Sequence, residues 1–80
     1  MNVYLAVLED RHIDTQIEVF DKMELAHSQI STWEDGYTDS WVEKDITGWE
    51  YYVRSDCDDG PNMRIEKKVL ELTVGNHEMP

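Results

Sequence analysis

TQIEVFDKMELA, at residues 15–26, contains the change from strand to helix on which the fold depends. Up to Phe20, apolar and polar residues alternate, so that Ile17 and Val19 share one face of an extended segment. This period of two predicts a strand over residues 15–20. Beyond Phe20 the apolar residues recur at helical spacing, which predicts that a helix follows the strand directly.

The predicted helix has a marked start. Asp21 is of the residue type that caps helices, and Glu24, three positions later, completes a capping box. Phe20 and Leu25 stand where a hydrophobic staple would pair. These signals place the first helical residue at Lys22, and replacing Asp21 by Ala is expected to cost roughly 1 kcal/mol of stability.

One face of the predicted helix is apolar, and a glycine marks its end. The apolar stripe consists of Met23, Ala26, Ile30 and Trp33. Because these positions recur at helical spacing, the four side chains share one side and predict packing of the helix on a sheet. Gly36 follows the stripe and favours termination of the helix there.

Four other segments complete the predicted sheet. Residues 3–8 are apolar on both faces, which predicts an interior strand that forms a hairpin with the strand before the helix. Residues 41–44 predict a short edge strand, and residues 49–54 alternate in polarity as a strand does. Residues 63–74 predict a long last strand, and the apolar residues in it change phase, which predicts a bulge or twist near residues 67–69.

These segments together predict an α+β fold. An antiparallel sheet of four or five strands would carry one helix packed on one face, in the order ββα(β)ββ. Eighty residues are enough for one domain with one core. We predict that this domain spans residues 1–74 and that residues 75–80 form a flexible C-terminal tail.

Charge is the most unusual feature of the composition. The chain has 18 Asp and Glu against 7 Lys and Arg, for a net charge of −11. Residues 63–80 contain three residues of each sign, so the whole excess lies in residues 1–62. Such a charge repels nucleic acid and anionic membranes and attracts basic protein surfaces. We therefore predict a protein partner with a basic surface, and no direct binding to nucleic acid or to membranes.

Three sequence features predict a cytoplasmic location. Residues 1–9 have no basic start and no small-residue cleavage site of a signal peptide. No stretch approaches the roughly 20 apolar residues that cross a bilayer. The single cysteine, Cys57, forms no disulfide within the chain, as is typical of a reducing compartment.

The sequence offers little support for a metal site or for catalysis. Residues 55–60 are acidic, but an EF-hand register puts Ser55 and Cys57 where two carboxylate ligands belong, so we interpret the segment as an exposed hairpin loop. His12, His27 and His77 have no short spacing to one another or to Cys57. No cofactor, metal ligand or catalytic residue is predicted.

The middle of the chain combines acidic and aromatic residues. Between Glu34 and Asp59 lie nine carboxylates and only two basic residues, interleaved with tryptophan and tyrosine. Carboxylates can bind Lys and Arg of a partner, while exposed rings provide apolar anchors and stack on guanidinium groups. The predicted partner-binding residues are Glu34, Asp35, Tyr37, Asp39, Trp41, Glu43 and Asp45.

The aromatic residues of this segment are not all expected to bind. Trp33, Trp49 and Tyr51 fall on predicted buried faces, so we expect them in the core. Tyr37 and Trp41 lie in a weakly patterned region and are the preferred interface anchors. The alternative, in which the rings are core and the carboxylates only promote solubility, stays open from the sequence.

Four stretches carry a resemblance to known small proteins: residues 3–12, 17–20, 48–53 and 64–69. In element order and composition the chain resembles small acidic proteins of phages, mobile elements and prokaryotes. In size and acidity it is similar to phage-encoded inhibitors of host defence, including anti-CRISPR and anti-restriction proteins, several of which imitate nucleic acid. The resemblance implies action in the cytoplasm of a host cell.

Three hypotheses about function follow. The first is an inhibitor that binds a nucleic-acid-handling defence complex through the acidic and aromatic segment, with or without mimicry of nucleic acid. The second is a structural or regulatory homodimer with no inhibitory role, in which acidity serves solubility. The third is a small metal-dependent enzyme, for which the sequence provides the least support.

Overall fold

The computed structural model describes residues 1–70 and confirms the predicted α+β class. Within that range, one helix accompanies a sheet of five strands, all antiparallel to their neighbours. The helix has 13 residues and is neither long nor apolar enough to cross a membrane. The elements are β1 (Asn2–Glu9), β2 (Gln16–Phe20), α1 (Met23–Asp35), β3 (Trp41–Lys44), β4 (Tyr51–Ser55) and β5 (Asn62–Val69).

The strands lie in the order β2-β1-β5-β4-β3. The first and last strands of this set, β1 and β5, pair along eight residues at the centre of the sheet. β1 is therefore interior, as its two apolar faces predict, and β3 is an edge strand with the predicted bounds. The hairpin of β1 with β2 is also confirmed.

One face of the sheet packs against the helix. Directly opposed residues of antiparallel strands point to the same face. Leu8 lies opposite Met63 and Ala6 lies opposite Ile65, and all four side chains are buried in the core. From the helix, Ala26 and Ile30 fill the same cluster, while Met23 and Trp33 pack at its margin. The predicted apolar stripe of the helix is thus confirmed.

The predicted start of the helix is wrong by one residue. Lys22 is the N-cap, in extended conformation, and its side chain caps no amide. Asp21 therefore lies outside the helix and is not positioned as the cap, and with the N-cap at Lys22 the staple positions fall on Asp21 and Ala26 and not on Phe20 and Leu25. The backbone carbonyl of Lys22 accepts from the amides of Leu25 and Ala26. Gly36 ends the helix, as predicted.

Two predictions about strands are also corrected. The pairing of β1 with β5 runs without interruption from Asn2 opposite Val69 to Glu9 opposite Asn62, so no bulge interrupts β5. β5 ends at Val69, and the predicted continuation beyond residue 70 lies outside the described residues, as do the domain boundary at 74 and the tail at 75–80. β4 begins at Tyr51 and not at residue 49.

A side-chain cap at Lys22 should stabilise the domain. Because Lys22 has the extended conformation of a helix N-cap, Lys22→Ser should add a hydrogen bond to a free first-turn amide and remove a positive charge from the helix N-terminus. We expect a gain of roughly 0.5–1 kcal/mol in urea unfolding. Asp21→Ala is the control and should change stability by less than about 0.5 kcal/mol. A loss of roughly 1 kcal/mol in Asp21→Ala would instead show that Asp21 caps the helix and that the capping box forms.

Candidate functional site

The helix covers only part of the sheet. Among the described elements, the backbone of α1 lies close to β1, β2 and β5 but not to β3 or β4, and α1 reaches β4 through side chains such as His27. Aromatic side chains cover the remaining inner face, half-buried against the core. We call this surface the acid–aromatic shelf. Its members are Trp33, Glu34, Tyr37, Trp41, Glu43 and Tyr51.

Edge-to-face contacts order the rings of the shelf. The centroids of Tyr37 and Trp41 lie 5.8 Å apart with an interplanar angle of 81°. The ring of His27 meets Tyr51 in the same way at 4.6 Å. Such geometry is favourable because the positive edge of one ring meets the negative face of the other. The rings therefore form a fixed, partly exposed surface beside the helix.

The shelf carries two carboxylates from different elements. Glu34, near the end of α1, and Glu43, on β3, are close enough for their charges to interact. Burial, followed by the charges of Asp35 and Glu43, raises the pKa of Glu34 above its ordinary value. The hydroxyl of Tyr51 donates to Oε2 of Glu43 at 3.2 Å, and burial together with this carboxylate raises the pKa of Tyr51 to about 12.

No Lys or Arg within residues 1–70 pairs with Glu34 or Glu43. The ion pairs of the described chain connect Arg11, Arg64 and Lys68 with carboxylates elsewhere. A nearby negative charge disfavours ionisation of Glu34, and a cation beside it would remove that penalty. On the shelf, Glu34 and Glu43 therefore lack a cationic partner among residues 1–70, and a positive group from outside could bind there.

An acidic groove opens at the end of the sheet where the β1–β2 turn meets the β4–β5 loop. Its volume is about 330 Å³. Arg11 crosses it and pairs with Asp59 at 2.6 Å, an exposed contact that contributes little to stability. The groove is lined by Glu9, Asp10, Arg11, Thr15, Asp58, Asp59, Gly60 and Asn62. Of its four carboxylates, Asp59 pairs with Arg11 and Glu9 pairs with Arg64, so the groove keeps a net negative charge.

One hydrogen bond connects the shelf with the groove directly, and others order the chain between them. The hydroxyl of Tyr37 donates to Oδ2 of Asp10 at 2.7 Å. Asp10 also accepts from the backbone amide of His12, and these two bonds, the amide first, lower the pKa of Asp10. The buried hydroxyl of Ser55 donates to Asp39 and accepts from the amide of Cys57. The acidic surface is thus continuous from one region to the other.

The predicted partner-binding residues are brought together in part. Glu34, Tyr37, Trp41 and Glu43 lie on the shelf, and Asp39 lies beside Tyr37 where the shelf joins the groove. Asp35 is exposed at the helix end, whereas Asp45 follows β3 in the turn away from the groove. Tyr37 and Trp41, the preferred anchors, pack against the core and keep only part of their surface exposed.

Trp49 is not in the core, contrary to expectation. The turn at Gly48, whose φ is 102°, and the later start of β4 break the alternation that would have pointed Trp49 inward. Instead Trp49 stacks on Tyr52 at 5.2 Å, and the guanidinium of Arg64 lies 5.1 Å from its ring centroid. Trp33 and Tyr51, by contrast, pack against the core as expected.

The sequence reasoning missed the residues of the groove. Glu9 and Asp10 precede Asp58 and Asp59 by about fifty positions, and nothing in their spacing relates them. The antiparallel pairing of β1 with β5 brings the end of one to the start of the other, so the two loops meet. A prediction of the β1–β5 pairing would have been enough to locate the groove.

The chain was compared with protein-family models, curated proteins and solved structures, and no match was found in any of the three. Within residues 1–70 no group of three or more His, Cys, Asp or Glu side chains is arranged to hold a metal ion. The shelf and the groove present carboxylates, aromatic rings and hydroxyl groups, which suit the binding of cations and guanidinium groups.

Removing the charge of Glu34 should stabilise the protein in a pH-dependent way. Because the folded state raises the pKa of Glu34, its ionised form opposes folding at neutral pH, and this effect disappears as the pH falls through that pKa. Glu34→Gln should raise the Tm by roughly 1–3 °C at pH 7, a modest gain because the group is partly exposed and screened. Below about pH 4 the gain should vanish.

Glu24→Gln is the matched control for the Tm measurement. Glu24 lies in the first turn of α1, where a carboxylate interacts favourably with the helix N-terminus, so its neutralisation should slightly lower the Tm at pH 7. Equal effects of the two substitutions on the Tm would contradict the conclusion that the ionised form of Glu34 opposes folding.

Gly60 should tolerate no side chain, since a Cβ there would meet the side chain of Ser55 and lie 2.9 Å from Oδ2 of Asp39. We expect Gly60→Ala to lower the free energy of unfolding by roughly 1–3 kcal/mol in denaturant titrations. Gly36→Ala is the control: the nearest atom to its Cβ would be the carbonyl oxygen of Trp33 at 3.4 Å, an ordinary contact. A stable Gly60→Ala protein would show that the junction of shelf and groove is loose.

Proposed function

We propose that this protein is an acidic protein-binding module that occupies the basic, nucleic-acid-binding surface of a partner, in the manner of a phage-type inhibitor. The shelf would receive an arginine of the partner, and the groove would extend the contact to further basic side chains. Arginine suits this role because its planar fork binds carboxylates in pairs and stacks on aromatic rings. Nucleic-acid-binding surfaces are rich in this residue.

The observation that supports the proposal most strongly is the pair Glu34 and Glu43. Two carboxylates from separate elements lie beside a row of half-exposed rings, with no cation from residues 1–70 between them. A partner guanidinium would relieve their repulsion and gain charge-assisted hydrogen bonds. The Trp41 and Tyr51 rings would provide apolar contact around the ion pair.

Binding accounts for this surface better than catalysis does. Enzyme sites are generally concave and exclude water, so that a few polar groups act at low dielectric. The shelf is an open surface, and the groove is a wide, polar opening between two loops. We therefore propose a protein with no catalytic activity, which acts in the cytoplasm, where the exposed thiol of Cys57 would stay reduced.

The first test is direct binding of a fluorescent nona-arginine peptide, followed by anisotropy. At about 50 mM NaCl the protein should bind this probe, and binding should weaken steeply as salt rises to about 300 mM, because charge attraction is screened. Replacing both Glu34 and Glu43 by Gln should reduce the affinity at least tenfold. The control pair, Glu18→Gln with Glu24→Gln, removes the same charge from exposed positions of β2 and the first helical turn.

The second test asks whether binding excludes nucleic acid. A labelled duplex bound to the same peptide should be released by the wild-type protein and by the control pair, but not by the Glu34 and Glu43 double variant. Equal release by both double variants, or binding that ignores ionic strength, would contradict the proposal. Charge reversal at Asp39 is a poor probe, since Asp39 accepts a hydrogen bond from buried Ser55 and its loss would disturb the fold.

A further inference from the structure

The face of the sheet opposite the helix carries an apolar strip. By strand register, Val3, Leu5 and Val7 of β1 point away from the core, beside Ile17 and Val19 of β2. An antiparallel sheet with one face in water normally places polar residues on that face. Here all the outward positions of two neighbouring strands, apart from Glu9 at the end of β1, are apolar. This composition is typical of a face that meets another protein layer.

The strip is most exposed on β2, which forms an edge of the sheet, whereas two of its three residues on β1 are buried. Ile17 is 56% exposed and Val19 is 59% exposed. Natural edge strands are commonly protected by Lys, Pro or a bulge, and β2 has none of these. Its only charge, Glu18, lies opposite Ala6 and so points to the helix side, where it discourages pairing at the edge but leaves the outer face apolar. Exposed apolar side chains on that face mark an interaction surface.

The charge of this face differs from that of the rest of the molecule. Among the outward strand positions, four basic residues stand against two acidic ones, a net charge of +2. The remainder of residues 1–70 has fourteen acidic residues and three basic ones, a net charge of −11. The outward charged residues are Lys44, Arg54, Arg64, Lys68, Glu9 and Glu66.

We propose that a second copy of this chain docks on this face, so that two sheets pack face to face with their helices outside. Two copies of a strongly acidic protein repel each other wherever their acidic surfaces meet. The outward face of the sheet is not acidic, so two copies can approach closely there. A two-fold contact would place the exposed part of one apolar strip, chiefly Ile17 and Val19, against that of the other and leave the shelf of each copy free. The inference does not depend on the proposed binding of a basic partner.

The size of the face indicates a weak dimer. From the strand lengths and the spacing between strands, the face measures about 500 Å² in projection. Stable interfaces bury roughly 800 Å² on each partner. We therefore expect a dissociation constant in the micromolar to submillimolar range. Because the two copies repel at long range, the dimer should tighten as salt rises, opposite to the binding of a basic partner.

Sedimentation equilibrium of the full chain between about 10 and 500 µM tests the proposal. The wild type should pass from monomer to dimer over this range, and at a lower concentration in 500 mM than in 50 mM NaCl. Ile17→Thr with Val19→Thr keeps the β-branched shape of both residues and should weaken the dimer at least tenfold. Ile17→Lys with Val19→Lys should leave a monomer at every concentration.

Ile13→Lys with Leu25→Lys is the matched control. It makes the same change in charge at two residues that are exposed but lie in a turn and on the helix, and it should dimerise like the wild type. A monomeric wild type at 500 µM would overturn the proposal, as would a dimer that survives the Ile17 and Val19 substitutions.

A spin-label experiment tests the chain's own C-terminal segment as the competing occupant of the face. A nitroxide label is attached to the single thiol of a Cys57→Ser, His77→Cys double variant, and the Val19 methyl signals are recorded by NMR at a concentration where the protein is monomeric. These signals should keep their intensity in the monomer. Strong broadening there would overturn the proposal, because it would show that the C-terminal segment of the same chain covers the strip.

Discussion

The pairing of β1 with β5 is the interaction on which the rest of the structure depends. These strands provide the longest ladder of the sheet, and their inner side chains form much of the core. The ladder joins the β1–β2 hairpin to the β3–β4–β5 meander, and the helix packs across the join. It also sets the two faces, because each opposed pair points both of its side chains the same way. Both the acidic groove and the apolar strip are positioned by this register.

Much of the fold followed from local sequence pattern. The period of two in β1 and β2, the helical stripe and the short edge strand at 41–44 were each specified by a few neighbouring residues, and the structure confirms them. The errors concern the exact bounds of elements and the pairing of strands, which depend on how the whole chain folds. The capping residue moved from Asp21 to Lys22, and the expected bulge in β5 is absent because the ladder with β1 keeps its register. Local patterns contain no information about such long-range pairing.

The candidate site was predictable in composition and not in shape. The segment from Glu34 to Asp45 was singled out because acid and aromatic residues alternate there, but the fold divides it between the shelf, the junction with the groove and a distant turn. Tyr37 and Trp41 combine a packing role with partial exposure, whereas Trp49 points to the opposite face. A carboxylate pair such as Glu34 with Glu43 cannot be read from a sequence, since its members come from a helix and a strand that meet only in the folded chain.

The β1–β5 ladder also determines when the protein can fold. Its partners are up to 67 positions apart, from Asn2 to Val69, so the contact order of the fold is high. Pairings of this kind form slowly because a long loop must close before any contact is gained. During synthesis β1 emerges before β5 and must wait for β5 to leave the ribosome. Until then the apolar residues of β1 lack their final partner, and this strand is a point at which the nascent chain is vulnerable to aggregation.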